Sequence, residues 1–393
     1  MTGRISIGVL LCVCCYTIHY SIADDIQDNA CYKDENGISC HKTTYKLTRL
    51  ESSFVGSIKE VVLTDGTELE LKTLSLKPLI FELPNFLSEE ECNHFRSLAH
   101  DIGLEPSQTL KEKTENTNFN ILDLDGDRKL SVPEMRVTIE EAFDVYPHDE
   151  DILEMYAETG LDANNDGFIT PNELNKLKPS DLQRYVRSFV QNQPEKHARL
   201  SNQVWLYPDN STDSVFERIQ KRVSEIVALP IELVKLSDFQ VVQYGIDGHY
   251  NAHYDSTPVD SKYPCCVRFD KRNCRICRYM TILFYLNDVQ EGGETAFPVA
   301  DDEMFNATEV KLDKRNLFQK CDEAKLKVLP AKGKAVIWYN HFIDNTTQWL
   351  GQLDQYSIHG GCPVKKGKKW IGNFWIKVTD NKDEDIKRME KFI

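Results

Sequence analysis

Hydrophobic patterning divides the chain into three regimes. The first is an apolar run, "ISIGVLLCVCCYTIHYSIA", residues 5–23, behind Arg4. A charged start, an apolar centre and small residues at Ser21 and Ala23 read as a secretory signal cleaved after Ala23. The run is also close to the ~20 residues that cross a bilayer, so an uncleaved signal-anchor stays open. Residues 115–190 are helical in pattern and acidic, interrupted by two aspartate-rich turns. From about residue 200 onward come short stretches rich in β-branched and aromatic residues: "FQVVQYG", "RYMTILFYLN", "AVIWYN" and "WIGNFWIKV". Divided by Gly, Asn and Asp, they predict strands of a sandwich or barrel.

Composition narrows the function classes. With 393 residues, 41% of them hydrophobic and 10% aromatic, the chain is long and apolar enough for a large core. A formal charge of -15 argues against nucleic-acid binding, which needs a basic face. Three of the 12 cysteines fall in the leader, leaving Cys31, Cys40, Cys92, Cys265, Cys266, Cys274, Cys277, Cys321 and Cys362. Cys265, Cys266 and the Cys274-x-x-Cys277 pair resemble half a zinc site, but in an oxidising compartment disulfides are the stronger reading. The sequons at Asn210, Asn306 and Asn345 fit glycosylation on a secretory route. The final "RMEKFI" is no KDEL-type signal, so retention in the endoplasmic reticulum would rest on an anchor or a partner.

The two acidic turns carry metal-ligand spacing. "DANNDGFITPNE" sets Asp162, Asn164 and Asp166 at loop positions one, three and five, Gly167 at six, a Phe168 carbonyl at seven, Thr170 at nine and Glu173 at twelve. A hard cation such as Ca2+ wants that many oxygens and a sharp turn to wrap them. "DLDGDRKLSVPE" repeats the set with Asp123, Asp125, Asp127, the Lys129 carbonyl, Ser131 and Glu134, but position six is Arg128. That turn prefers a positive φ, which costs a non-glycine residue roughly 1–2 kcal/mol, so the first loop is expected to bind more weakly. Leu130 and Ile169, at the eighth positions, would pair the loops as an EF-hand pair.

In "GHYNAHYDSTP" His253 and Asp255 stand two apart, on one face of an extended chain. Chance alone yields roughly one or two His-x-acid pairs in such a chain, and His148-Asp149-Glu150 contains another. A pair becomes a centre only with a third ligand, as in the facial triad of two histidines and a carboxylate that holds non-haem iron. His359, before a Gly-Gly expected to turn the chain, is the best candidate, with Lys369 ten residues on as partner for an acidic ligand. His249 is expected to play an outer role, and His341 to be exposed in a polar loop.

"QYGIDGHYNAHYD", "RYMTILFYLNDVQEGGETAFP" and "HGGCPVKKGKKWIGNFW" resemble the catalytic motifs of animal and plant prolyl 4-hydroxylases. These are iron(II)- and 2-oxoglutarate-dependent dioxygenases on a double-stranded β-helix, a form of jelly roll. Similarity extends over nearly all the chain after the leader, most closely to an endoplasmic-reticulum branch with EF-hands ahead of the iron motif. The resemblance implies that His253, Asp255 and His359 bind iron and that Lys369 binds the outer carboxylate of 2-oxoglutarate. It sets Tyr244, Tyr250 and Trp375 near a peptide groove, and Arg278 and Thr295 near the active site. An ideal strand would aim Tyr250 away from His253; a bend or bulge at Gly248 would resolve this. Glu294 is expected close to the centre without being a ligand.

The expected fold class is α+β: a jelly-roll catalytic domain with flanking helices and an inserted all-α EF-hand pair. Its expected parts are a leader (1–23), a β-rich segment (24–75), the start of the catalytic domain (76–114), the EF-hand pair (115–190), the dioxygenase domain (191–380) and a tail (381–393). The resemblance implies hydroxylation of peptidyl proline at C4 with O2, 2-oxoglutarate going to succinate and CO2, and ascorbate rescuing oxidised iron. A proline-containing polypeptide is the expected partner, with a membrane only if the N-terminal run stays uncleaved. Two rivals remain: a same-fold dioxygenase with a non-prolyl substrate, and a non-enzymatic calcium-binding scaffold.

Overall fold

The computed structural model describes residues 31–34, 37–40, 45–107, 119–123, 125–143, 145–193, 196–206, 213–259, 276–306 and 315–390. Residues 5–23, Asn210, Cys265, Cys266 and Cys274 lie outside them. The chain divides into two units, residues 1–44 and 45–393. In the first, Cys31–Asp34 pairs antiparallel with Gly37–Cys40.

In the second unit, among the described residues, nine antiparallel strands form one sheet. Its centre runs Leu79–Leu83, Ala335–Tyr339, Cys277–Tyr285, Lys369–Val378, Phe239–Tyr244 and Asn202–Leu206. Four of these are the strands that the β-branched and aromatic stretches predict. They are buried almost throughout because both faces are covered. Period-two alternation sends Phe239, Phe284 and Phe374 to an outer face, where Phe239 stacks on Phe95 of helix Glu89–Ile102 at 4.4 Å and meets Phe216 of helix Ser214–Val227 at 5.7 Å. The same alternation turns Val242, Tyr244, Leu283, Tyr285 and Ile371 inward, into one core with Phe297, Val328 and Val364.

Facing this inner side is a five-stranded sheet in the order Leu326–Val328, Thr295–Phe297, His359–Gly361, His249–His253, Arg199–Leu200. Two antiparallel sheets around one core are the layering expected of a jelly roll. The boundary expected at residue 75 falls inside a continuous sheet, because Ile58–Val62 and Glu68–Leu76 extend the larger sheet beyond Leu79–Leu83. The Gly-Gly after His359 is also not a turn. Both glycines lie within strand His359–Gly361, where a Cβ on Gly360 would stand 2.4 Å from the Tyr250 carbonyl oxygen and 2.6 Å from Leu317.

Helices Val132–Phe143, Asp149–Thr159 and Pro179–Asn192 enclose a core of their own, including Met135, Ile152, Met155, Val186 and Phe189. Between them the two acidic loops meet through a Leu130–Ile169 bridge, with backbone N–H···O distances of 2.8 and 2.9 Å. A Val145–His197 bridge and a Tyr146 N–H to Lys196 carbonyl bond of 2.7 Å join the helical unit to the sheets. Lys196 also pairs with Asp151, and three residues on the chain enters strand Arg199–Leu200.

Candidate metal centre

Strands His249–His253 and His359–Gly361 pair antiparallel with His253 directly opposite His359. Asp255, two residues beyond His253, completes a cluster whose three ligand atoms lie within 4.8 Å of one another. Nε2 of each histidine stands 3.6 Å from a different Asp255 oxygen. The orientation comes from the backbone: Nδ1 of His253 donates to the Asn251 carbonyl at 2.9 Å, and Nδ1 of His359 to the Ser357 carbonyl at 2.8 Å. Such bonds fix the tautomer that leaves both Nε2 lone pairs facing the centre. Burial pushes the His359 imidazole down to about 4, against the opposing pull of Asp255, so it is neutral near pH 7.

Asp255 is held by residues from the larger sheet. Thr281 Oγ1 donates to it at 2.7 Å and Trp375 Nε1 at 3.0 Å, while Arg278 Nη1 lies 3.6 Å away. Burial alone would raise this carboxyl, but His359, His253 and Arg278 outweigh it and hold the group well below the usual carboxylate range. The Arg278 guanidinium lies 3.8 Å from the Trp375 ring centroid. Thr281 in turn accepts from Asn340 Nδ2 at 2.9 Å, and Asn340 Oδ1 accepts from Trp338 Nε1 at 3.1 Å. Sequence reasoning missed Thr281 and Asn340. Thr281 was findable, since the alternation that sends Leu283 inward along its strand also sends Thr281.

A cavity of about 250 Å³ separates this cluster from Lys369. Lys369 is 2% exposed and forms no salt bridge among the described residues; its Nζ lies 5.3 Å from the Tyr244 ring centroid and 5.7 Å from that of Tyr285. Burial lowers the ammonium from 10.5 to about 7, with Glu294 opposing. An unpaired buried cation awaits an anion. Thr295 lines the cavity and accepts from the Tyr285 hydroxyl at 2.7 Å. The donor set fits Fe(II), with two imidazoles and one carboxylate, and the cavity with its buried ammonium fits a dicarboxylate chelate such as 2-oxoglutarate.

The remaining expected residues divide. Tyr244, Tyr250, Arg278 and Trp375 all line the cavity. Tyr250 stacks on His253 with centroids 3.6 Å apart, and the strand has a register irregularity between the two. The Glu294 carboxylate lies beside Cys321 and Cys362, whose sulfurs form a disulfide, and its charge acts on Lys369. Cys277 is also disulfide-bonded, which removes it from a zinc site, and Cys92 is a free, buried thiol. His249 is buried, with both ring nitrogens against backbone carbonyls. His341 corrects the expectation of exposure: it is fully buried, with Nε2 2.7 Å from Ser256 Oγ and Nδ1 3.0 Å from the Gly351 carbonyl. The hairpin of His341–Ile343 with Leu350–Leu353 folds over it, a pairing invisible in the local pattern.

In the first acidic loop Asp123, Asp125 and Glu134 offer oxygens within 4.8 Å of one another, and Arg128 adopts φ 66°. In the second, Asp162 Oδ2 accepts from Gly167 N–H at 2.8 Å, while Glu173 Oε2 accepts from Thr170 N–H at 2.9 Å and from the Thr170 hydroxyl at 2.7 Å. Asn306 and Asn345 are exposed.

Gly360→Ala is expected to destabilise the protein by about 1–3 kcal/mol, since overpacking displaces the strand that carries His359. Thermal denaturation together with an Fe(II) titration checks this, and both should fall.

A family model described as the 2OG-Fe(II) oxygenase superfamily matches residues 239–377. The human protein called transmembrane prolyl 4-hydroxylase is 37% identical over 385 residues, covering 93% of this chain and 76% of that protein. Prolyl 4-hydroxylase 5 of Arabidopsis thaliana is 33% identical, covering 55% of this chain and 67% of that one. Among solved structures, a viral collagen prolyl hydroxylase from Paramecium Bursaria Chlorella virus-1 in complex with 2OG is 27% identical, covering 46% of this chain and 80% of that one, with a TM-score of 0.30. Given a relative this similar over most of both chains, the chain belongs to the prolyl 4-hydroxylase family of 2OG-Fe(II) oxygenases.

Proposed function

We propose that this chain hydroxylates peptidyl proline at C4, with Fe(II) held by His253, Asp255 and His359 and 2-oxoglutarate anchored by Lys369. The observation that carries the reading is Lys369, a buried ammonium without a salt bridge among the described residues, set across a 250 Å³ cavity from two imidazoles and a carboxylate. When bound, iron(II) supplies oxidation by O2 at the expense of 2-oxoglutarate, which leaves as succinate and CO2. The chain's own residues do the rest. Asn251 and Ser357 carbonyls aim the imidazoles, Thr281 and Trp375 orient Asp255, and Lys369 fixes the outer carboxylate of the co-substrate. Tyr250 and Trp375 wall the cavity where a prolyl ring would approach, excluding water from the reacting C4. Ascorbate is the reductant expected to restore iron oxidised in uncoupled turnover.

The test is product regiochemistry. Proline-containing peptides treated with the enzyme, Fe(II), 2-oxoglutarate and ascorbate should yield 4-hydroxyproline by NMR and mass spectrometry. Modification of a residue other than proline sinks this reading and favours a same-fold dioxygenase of different specificity.

Co-substrate binding should depend on pH through Lys369. Below about pH 7 the free protein already holds an ammonium there; above it, binding must first return a proton. Affinity for 2-oxoglutarate should therefore fall by up to about tenfold per unit as pH rises from 7 to 9. Calorimetry with Ni(II) in place of iron would measure it, and a flat profile would contradict the assignment.

We read the helical unit as an EF-hand pair that binds Ca2+ through Asp123, Asp125, Asp127, Lys129, Ser131 and Glu134, and through Asp162, Asn164, Asp166, Phe168, Thr170 and Glu173. The Leu130–Ile169 bridge supports that reading. Because Arg128 holds φ 66°, Arg128→Gly should raise calcium affinity of the first loop by roughly five- to thirtyfold in a calcium titration. The proposed location is the lumen of the endoplasmic reticulum, with attachment to the membrane only through residues 5–23. No helix among the described residues is long and apolar enough to cross a membrane.

A further inference from the structure

Asp255 lies beyond the end of strand His249–His253, whereas His253 and His359 face each other across a paired ladder. No strand register fixes the backbone of the carboxylate ligand, so other groups must hold it. Two adjacent residues, Asn340 and His341, supply that hold from just after strand Ala335–Tyr339. Both are fully buried.

Asn340 reaches the side chain of Asp255. Its Oδ1 accepts from Trp338 Nε1 at 3.1 Å, which fixes the amide so that Nδ2 donates to Thr281 Oγ1 at 2.9 Å. Thr281 then spends its own proton on Asp255 Oδ2 at 2.7 Å, the oxygen that also accepts from Trp375. The other oxygen, Oδ1, faces His253 Nε2 and Arg278 Nη1, each at 3.6 Å. His341 reaches the backbone instead. Burial pushes its imidazole down to about 4, so the ring is neutral near pH 7. The Gly351 carbonyl, 3.0 Å from Nδ1, can only accept, which places the ring proton on Nδ1 and leaves Nε2 as an acceptor. Ser256 Oγ donates to that Nε2 at 2.7 Å, tying down the residue that follows Asp255. The pair is itself anchored: Asp354 N–H donates to the Asn340 carbonyl at 2.8 Å, and Arg49 Nη1 to the His341 carbonyl at 3.1 Å.

We propose that Asn340 and His341 are positioning residues for the metal-binding carboxylate, Asn340 setting the Asp255 side chain through Thr281 and His341 setting its backbone through Ser256. The inference rests on the reading of His253, Asp255 and His359 as the iron ligands. Together the two holds keep Oδ2 engaged and Oδ1 turned toward the imidazoles. Loss of either frees the carboxylate to turn, and a ligand that must be ordered on binding makes a weaker site. The two routes share no side chain, so their losses add.

The experiment titrates Co(II), a stand-in for iron whose visible spectrum reports ligand geometry, into the full chain and its variants, with thermal denaturation of each apo protein alongside. Ser256→Ala and His341→Leu should each weaken Co(II) binding about tenfold, the low end of the range for groups that orient metal ligands. The double variant should bind no worse than either single one, as two halves of one contact require. His341→Gln, whose amide oxygen can accept from Ser256, should return affinity to within about twofold and restore the spectrum. Asn340→Leu should weaken binding by a similar factor, and its loss should add to that of Ser256→Ala. Ser256→Ala removes a single hydroxyl and decides alone if His341→Leu fails to fold. Unchanged Co(II) affinity and spectrum in Ser256→Ala, whatever its thermal stability, overturn the proposal and leave the pair a structural brace of the hairpin. Additive losses from Ser256→Ala and His341→Leu do the same. Failure of the unmodified protein to bind Co(II) overturns the metal centre, and the positioning role with it.

Discussion

Asp255→Asn should leave a folded protein that no longer holds iron. The amide keeps the carboxylate's shape and still accepts from Thr281 and Trp375, now at 2.7 and 3.0 Å from the carboxylate oxygen. What it loses is the negative charge that the two imidazoles need as a companion on a divalent cation. Disturbing only the hydrogen-bonding shell around a metal typically costs 10–100-fold in affinity, so removing an anionic ligand should exceed about a hundredfold. Turnover should drop to background. Fe(II) titration and succinate release would be measured together, with circular dichroism reporting the fold. Retained iron affinity in the variant would mean that the metal, if bound, sits elsewhere.

Lys369→Met is expected to separate stability from function. Burial lowers the ammonium from 10.5 to about 7, so the folded state at neutral pH works against a group that prefers water. That penalty is on the order of 4 kcal/mol at pH 7, fully present below the folded value and relieved as pH rises toward 10.5. A methionine of similar length should recover part of it, roughly 2–4 kcal/mol in the apo protein. The same change removes the buried positive charge beside Tyr244 and Tyr285, so KM for 2-oxoglutarate should rise by at least about a hundredfold. Denaturant melts of apo protein and co-substrate saturation curves test both halves. A variant that is less stable and binds 2-oxoglutarate normally would refute the role given to Lys369.

Much of the site was legible because its chemistry is local. His253 and Asp255 are two apart on one strand, Lys369 begins another, and the loop spacings around Asp123 and Asp162 need no tertiary information. The strands themselves were visible as β-branched and aromatic stretches, since both faces of that sheet are covered. What stayed hidden depends on pairings between distant segments. His341 read as exposed until the hairpin closing over it was seen. Gly360 read as a turn residue, but its small size serves the approach of Tyr250, 110 positions earlier in the chain. Tyr250 reaches the face of His253 through a register irregularity that no single-strand alternation encodes. Asn340 reaches the site through Thr281, a contact that sequence pattern cannot register.

The most direct measurement of the central claim is succinate release by the protein with Fe(II), 2-oxoglutarate and ascorbate, run with a proline-containing peptide beside the His359→Ala variant. The account predicts release that the peptide stimulates, that matches 4-hydroxyproline formed mole for mole, and that the variant abolishes. Equal background release from both proteins, indifferent to peptide, would contradict it.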